Sequence, residues 1–140
     1  MDEVRAAPTV GIVACLLVVA VLLLPYLLIT SGVTAYYDAG AITPLAAGLF
    51  ALVGVIVFAA GREERTDPSL AAGAGLVFGL FAVLVCGVWA ATVPASVPLQ
   101  LGTADTISAT LLEFHRFMLV GAAALVAVAG GWYAKTLRLV

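Results

Sequence analysis

Four long apolar runs alternate with polar stretches along this chain, and their lengths dictate the fold. Thr9 to about Ile29 is nearly all Val, Leu, Ile and Ala; Leu45 to Ala60, Ser69 to about Thr92, and the stretch ahead of Trp132-Tyr133 repeat the pattern. Runs of about 16–24 residues, rising ~1.5 Å per residue in a helix, each approximate one hydrocarbon core. The predicted elements are helices over about 9–30, 44–61, 68–92 and 105–135.

Punctuation supports those limits. Pro25 falls near the far end of the first run, where a lost backbone bond is tolerable, and Tyr26 beside it suits an interfacial aromatic belt. Pro44 can open the second helix; Asp67 can cap the third, with Pro68 in its first turn. The loop from Ser31 to Thr43 is rich in turn and interface residues. The loop from Val93 to Ala104 carries Pro94 and Pro98, which forbid a continuing helix, so it reads as irregular chain ending at a cap on Thr103 or Asp105. Val33-Thr34-Ala35 resembles a signal-peptidase site, but the apolar run before it is longer than a signal peptide's and its leading segment only weakly basic.

Composition moves the chain into a membrane. It is 64% hydrophobic and 10% charged, with a mean hydropathy of +1.22, far from a soluble domain. The one dense run of charge, Gly61-Arg62-Glu63-Glu64-Arg65-Thr66-Asp67-Pro68, must lie in water, since each ion would cost about 2.5–3.5 kcal/mol at mid-bilayer. Arg5, Arg62, Arg65, Lys135 and Arg138 fall on one side of such a membrane and only Arg116 on the other. The positive-inside rule then puts both termini and the central turn in the cytoplasm. The expected fold class is an all-α membrane protein: one four-helix domain over 1–140, an up-down-up-down bundle. A net charge of −2 supplies no basic patch, so nucleic acid is excluded as a partner. Cys15 and Cys86 read as buried thiols on the order of 15 Å apart, beyond disulfide reach.

Lipid provides little hydrophobic drive between helices, so small residues mark close approach. Ala71, Gly75 and Gly79 recur every fourth residue on the third helix; Ala123, Ala127 and Gly131 do so on the fourth; the second offers Ala47 and Ala51. The first helix is bulky all round. Helices two, three and four should associate tightly, with the first more peripheral.

Candidate chemistry gathers at the outer rim. Counting back about 20 residues from Tyr133 sets Glu113, His115 and Arg116 at the outer headgroup level. Glu113 and Arg116 share a helix face, while His115 points toward the side of Leu111, Leu112 and Leu119. The leading expectation is an interfacial Glu113–Arg116 pair that sets helix depth, with His115 snorkelling or bonding a loop carbonyl. The competing one folds Tyr36, Tyr37, Asp38 and Asp105 back to build a polar pocket around Arg116 or Glu113. One histidine and scattered carboxylates give no metal spacing, and His115 has no second axial ligand for a haem, so no cofactor and no catalytic residue are expected.

Tyr36-Tyr37-Asp38-Ala39-Gly40, the charged turn and Glu113-Phe114-His115-Arg116 together resemble small four-helix membrane proteins of prokaryotes, archaeal ones in particular, with no assigned function. That resemblance implies a layout and transfers no activity. The leading functional expectation is a non-enzymatic accessory or scaffolding subunit, seated in the lipid bilayer and associating with itself or a larger complex. The alternatives are an oligomeric small-solute or ion transport or channel module, and a membrane enzyme or cofactor carrier using the outer rim.

Overall fold

A computed structural model describes residues 2–94, 96, 102–103 and 106–140. In chain order these form α1 (Asp2–Leu28), β1 (Ile29–Ser31), α2 (Val33–Asp38), α3 (Leu45–Arg62), α4 (Pro68–Thr92), β2 (Gly102–Thr103) and α5 (Thr106–Thr136). The strands are a minimal antiparallel pair, Ile29 opposite Thr103 and Ser31 opposite Gly102. α1, α3, α4 and α5 are each long and apolar enough to cross a membrane.

Local chemistry explains the helix limits. Asp67 accepts a hydrogen bond from the Ser69 amide at 2.9 Å, and Pro68 occupies the first turn of α4, where its missing N–H costs nothing. Pro44 stands at the N-cap of α3. α1 starts earlier than expected, at Asp2, because Pro8 is accommodated inside it. In the same turn the Thr9 hydroxyl donates to the Arg5 carbonyl at 2.7 Å. α2 was not anticipated from the loop's turn-rich composition; it begins after Gly32, whose φ of 92° suits only glycine without strain.

The four long helices pack in a ring in which α1 touches α3 and α5, and α4 touches α3 and α5. Neighbours run antiparallel: Gly54 faces Cys15, Phe58 meets Gly11 and Gly75, and Gly79 meets Ala127. This corrects the expectation that α1 lies at the periphery. Its Val and Leu side chains fill the ring, with Val18 fully buried and Leu22 nearly so. Its bulk is no barrier because α3 meets it with Gly48 and Gly54. The outward faces stay apolar, with Val13, Leu27, Leu49, Ile56, Phe117 and Val128 all more than half exposed.

The ring has two unlike ends. Residues 2–9, 61–68 and 132–140 gather at what we term the turn end; β1, β2 and α2 lie at the opposite, loop end.

Candidate functional site

The loop end is built around a proline. Pro25 has no N–H, so the carbonyl of Val21, four residues earlier, cannot receive its helical hydrogen bond. A bare carbonyl in an apolar interior is costly, and here α5 supplies a donor: His115 Nε2 lies 2.7 Å from Val21 O. The Leu22 carbonyl, next along the same turn, accepts from the Tyr37 hydroxyl. α2 thus folds back into the ring and caps the disturbed turn of α1.

The His115 tautomer follows from its partners. A carbonyl only accepts, so Nε2 carries the hydrogen, and in the neutral ring Nδ1 accepts from the Tyr36 hydroxyl at 2.9 Å. Trp89 closes the group. Its ring meets Tyr36 edge-on at 5.2 Å between centroids and His115 edge-on at 6.0 Å, and Tyr36 stacks on Tyr37 at 5.4 Å. Tyr36, Trp89 and His115 are fully buried and Tyr37 almost so. The four rings pack pairwise at the centre of this end. Burial pushes both α2 phenols above the ordinary tyrosine range, with Arg116 pulling Tyr36 part of the way back, so both stay protonated donors. The Trp89 indole nitrogen has no acceptor among the described residues.

Arg116 does different work from the expected ion pair. Its Nη1 donates to Ala90 O at 3.1 Å and Val93 O at 3.0 Å, and Nη2 reaches Pro94 O at 3.4 Å. Ala90 O lies four residues before Pro94, which has no N–H to give it, and a cation at this end of α4 also meets the negative end of the helix dipole. Glu113 is exposed and forms no salt bridge with Arg116. Thr92 completes the junction, donating to Val88 O and accepting from the Ala41 amide at 2.8 Å.

Of the expected outer cluster, then, Tyr36, Tyr37 and His115 come together, with Arg116 beside them, while Glu113 and Asp38 face outward. Asp105 lies outside the described residues. His115 is a buried member of the core, not a snorkelling side chain: its face of α5 carries the fully buried Leu112 and Leu119. Trp89, near the end of α4, is likewise internal. The signal for this arrangement was Pro25 itself, which announces an unpaired carbonyl and hence a donor elsewhere.

Away from the loop end, packing rests on missing side chains. A Cβ on Gly79 would stand 2.5 Å from the Ala127 nitrogen, and one on Gly130 would stand 2.6 Å from Leu76 Cα. These are backbone contacts between α4 and α5. Gly75 instead admits the ring of Phe58, and Ala71 abuts Gly61. Ala123 is fully buried and Ala127 partly so. Gly131, expected at this interface, has open space beside it; its neighbour Gly130 holds the position. A hundred-degree step per residue makes that one-place error decisive.

At the turn end Glu63 accepts from Arg62 and from Arg5 at 3.4 Å, and Arg62 Nε donates to Thr9 Oγ1 at 2.7 Å. Arg65, Lys135 and Arg138 are exposed. The helices ending here, α3 and α5, close in the same way. Arg65 N donates to Ala60 O at 2.9 Å around Glu64 at φ 58°, and Leu139 N to Ala134 O at 2.9 Å around Arg138 at φ 61°. Both are Schellman-type endings with a charged residue where glycine is usual.

Against known proteins, residues 1–138 match the profile of DUF7548, described as a family of unknown function. The chain belongs to that family. No curated protein and no solved structure matches it. The ring-and-latch geometry of this DUF7548 chain must therefore be interpreted from its own residues.

Proposed function

We propose that the protein is a prokaryotic integral membrane protein that crosses the bilayer four times, with the turn end in the cytoplasm, and acts as a non-enzymatic accessory or scaffolding subunit. The observation that carries this reading is the use made of the polar core. His115, Tyr37 and Arg116 all donate to backbone carbonyls on other elements, and two of these, Val21 O and Ala90 O, lie four residues before a proline that has no N–H to give them. Such groups hold helices in register, which is the work of a structural subunit.

The apolar outer faces and the segregation of five of the six cations at the turn end support the membrane placement and its orientation. Enrichment in Ala, Gly and Val favours a prokaryotic source. In this reading the protein presents rigid apolar helix faces to partners within the membrane, either copies of itself or a larger complex.

Two measurements test it. Single cysteines at Arg65 and Asp38, in a background lacking Cys15 and Cys86, should react with a membrane-impermeant maleimide from opposite sides of the membrane; labelling from one side defeats the four-span orientation. Crosslinking in native membranes should recover a stoichiometric assembly, and recovery as a monomer alone would defeat the scaffolding role.

A further inference from the structure

At the turn end, Glu3, Trp132, Lys135, Thr136 and Arg138 line a groove of about 460 Å³. Its two cations are not used up internally. No carboxylate among the described residues lies within ion-pair distance of Lys135 or Arg138, whereas Arg5 and Arg62 at the same end are both engaged by Glu63. The Thr136 hydroxyl donates to Tyr133 O at 2.7 Å and braces the wall. Arg138 reaches the groove from a left-handed backbone position that an arginine seldom occupies.

The setting points to one occupant. Trp132 is half-buried, an amphipathic ring of the kind that sits at headgroup level. One to two turns deeper on the same helix, Leu125 and Val128 present exposed apolar surface. Two uncommitted cations, an interfacial indole and an apolar helix face below them match, in order, a phosphate, a glycerol backbone and an acyl chain. We propose that this groove seats an acidic phospholipid, its phosphate between Lys135 and Arg138 and a headgroup hydroxyl donating to Glu3. The proposal rests on the membrane placement argued above.

A simpler role competes: both cations could merely offset the negative end of the α5 dipole. The test separates the two. The protein is reconstituted in discs of phosphatidylcholine alone and of phosphatidylcholine with phosphatidylglycerol, and lipids retained after extraction are counted by native mass spectrometry. Phosphatidylglycerol should be retained selectively. Lys135→Gln with Arg138→Gln should weaken that selectivity roughly 25-fold, from about fivefold for each cation at a membrane surface.

Arg138→Gly provides the second arm, since it relieves the backbone while removing the guanidinium. Weaker retention with an unchanged or raised melting temperature supports the site; a raised melting temperature with retention unchanged overturns it. Inorganic phosphate that displaces the lipid at millimolar concentration would also overturn it, by making the ligand a soluble anion. A protein that enters phosphatidylcholine discs but holds both lipids equally defeats this inference alone. One that enters no disc defeats the membrane placement and this inference with it.

Discussion

The two ends of the ring hold their helices together by opposite means. At the loop end, side chains reach across gaps: His115, Tyr37 and Arg116 donate to carbonyls on other elements, and four aromatic rings fill the remaining space. From mid-ring toward the turn end, side chains are deleted instead, and α4 and α5 meet backbone to backbone at Gly79 and Gly130. On the membrane placement proposed above, apolar burial adds little between helices surrounded by lipid, so either directional bonds or close van der Waals contact must do the holding. Hydrogen bonds tolerate a bent helix and even exploit it, since Pro25 creates the acceptor that His115 fills. Backbone contact requires straight helices at short range and can accept no added atom.

The largest effect should therefore come from adding atoms where they were deleted. Gly79→Leu would drive a side chain into the α5 backbone, and overpacking of this kind costs about 1–3 kcal/mol or more. We expect the upper end of that range in a detergent unfolding titration, because the obstacle is backbone and cannot rotate away. Gly131→Leu, with nothing within 4 Å of its Cβ, should be nearly silent. Equal losses at the two positions would mean that glycine content, not contact, governs this interface.

The loop end should fail differently, through an unpaired carbonyl. His115→Leu leaves Val21 O bare, at a cost of about 1–3 kcal/mol. In a Pro25→Ala background, residue 25 regains its amide and can satisfy Val21 O within α1, so the same substitution should cost about 1 kcal/mol less. A double-mutant cycle on thermal stability measures that coupling. Zero coupling would show that His115 contributes packing only. Tyr36→Phe removes one hydrogen bond to the imidazole and should cost about 1 kcal/mol in either background.

Third in size is the junction of α4 with α5. Arg116→Leu leaves the Ala90 and Val93 carbonyls without their donor and should cost about 1–2 kcal/mol. Glu113→Gln should change stability by less than about 0.5 kcal/mol, as an exposed surface substitution does. The two changes should add, since no salt bridge joins these side chains. A coupling energy of about 1 kcal/mol would restore the interfacial ion pair in place of the helix-end clamp.

The long elements could be read from the sequence because run length and proline placement are local properties, and each apolar run must satisfy its own backbone in a helix. The partners of the polar side chains could not. Three positions of spacing suggested that Glu113 and Arg116 pair along one helix, but Arg116 finds three carbonyls at and beyond the end of another, and a solvent-screened pair with the exposed Glu113 would contribute little against them. The burial of His115 was not foreseen because counting residues back from Tyr133 gives a level along the helix and not the partner, which follows from what Pro25 leaves unpaired. Gly130 and Gly131 are adjacent and identical in composition; only the rotation of α5 against α4 distinguishes them, and a four-residue spacing rule has no means of fixing that angle.

The smallest effect tests whether the turn end carries strain of its own. Glu64 closes α3 in the left-handed region, held by the bond from Arg65 N to Ala60 O and by its own amide to Gly61 O at 3.2 Å. A residue with a Cβ pays about 1–2 kcal/mol for that conformation, and glycine escapes the penalty while losing more chain entropy on folding. The balance for Glu64→Gly is a gain of about 0.5–1 kcal/mol, opposite in sign to the losses expected at the loop end and between α4 and α5. The Glu64 carboxylate accepts no hydrogen bond among the described residues, so its removal should subtract little from that gain. A loss of stability on Glu64→Gly would mean that the side chain supports the turn, and that this end, like the loop end, depends on polar contacts as well as on close-packed backbone.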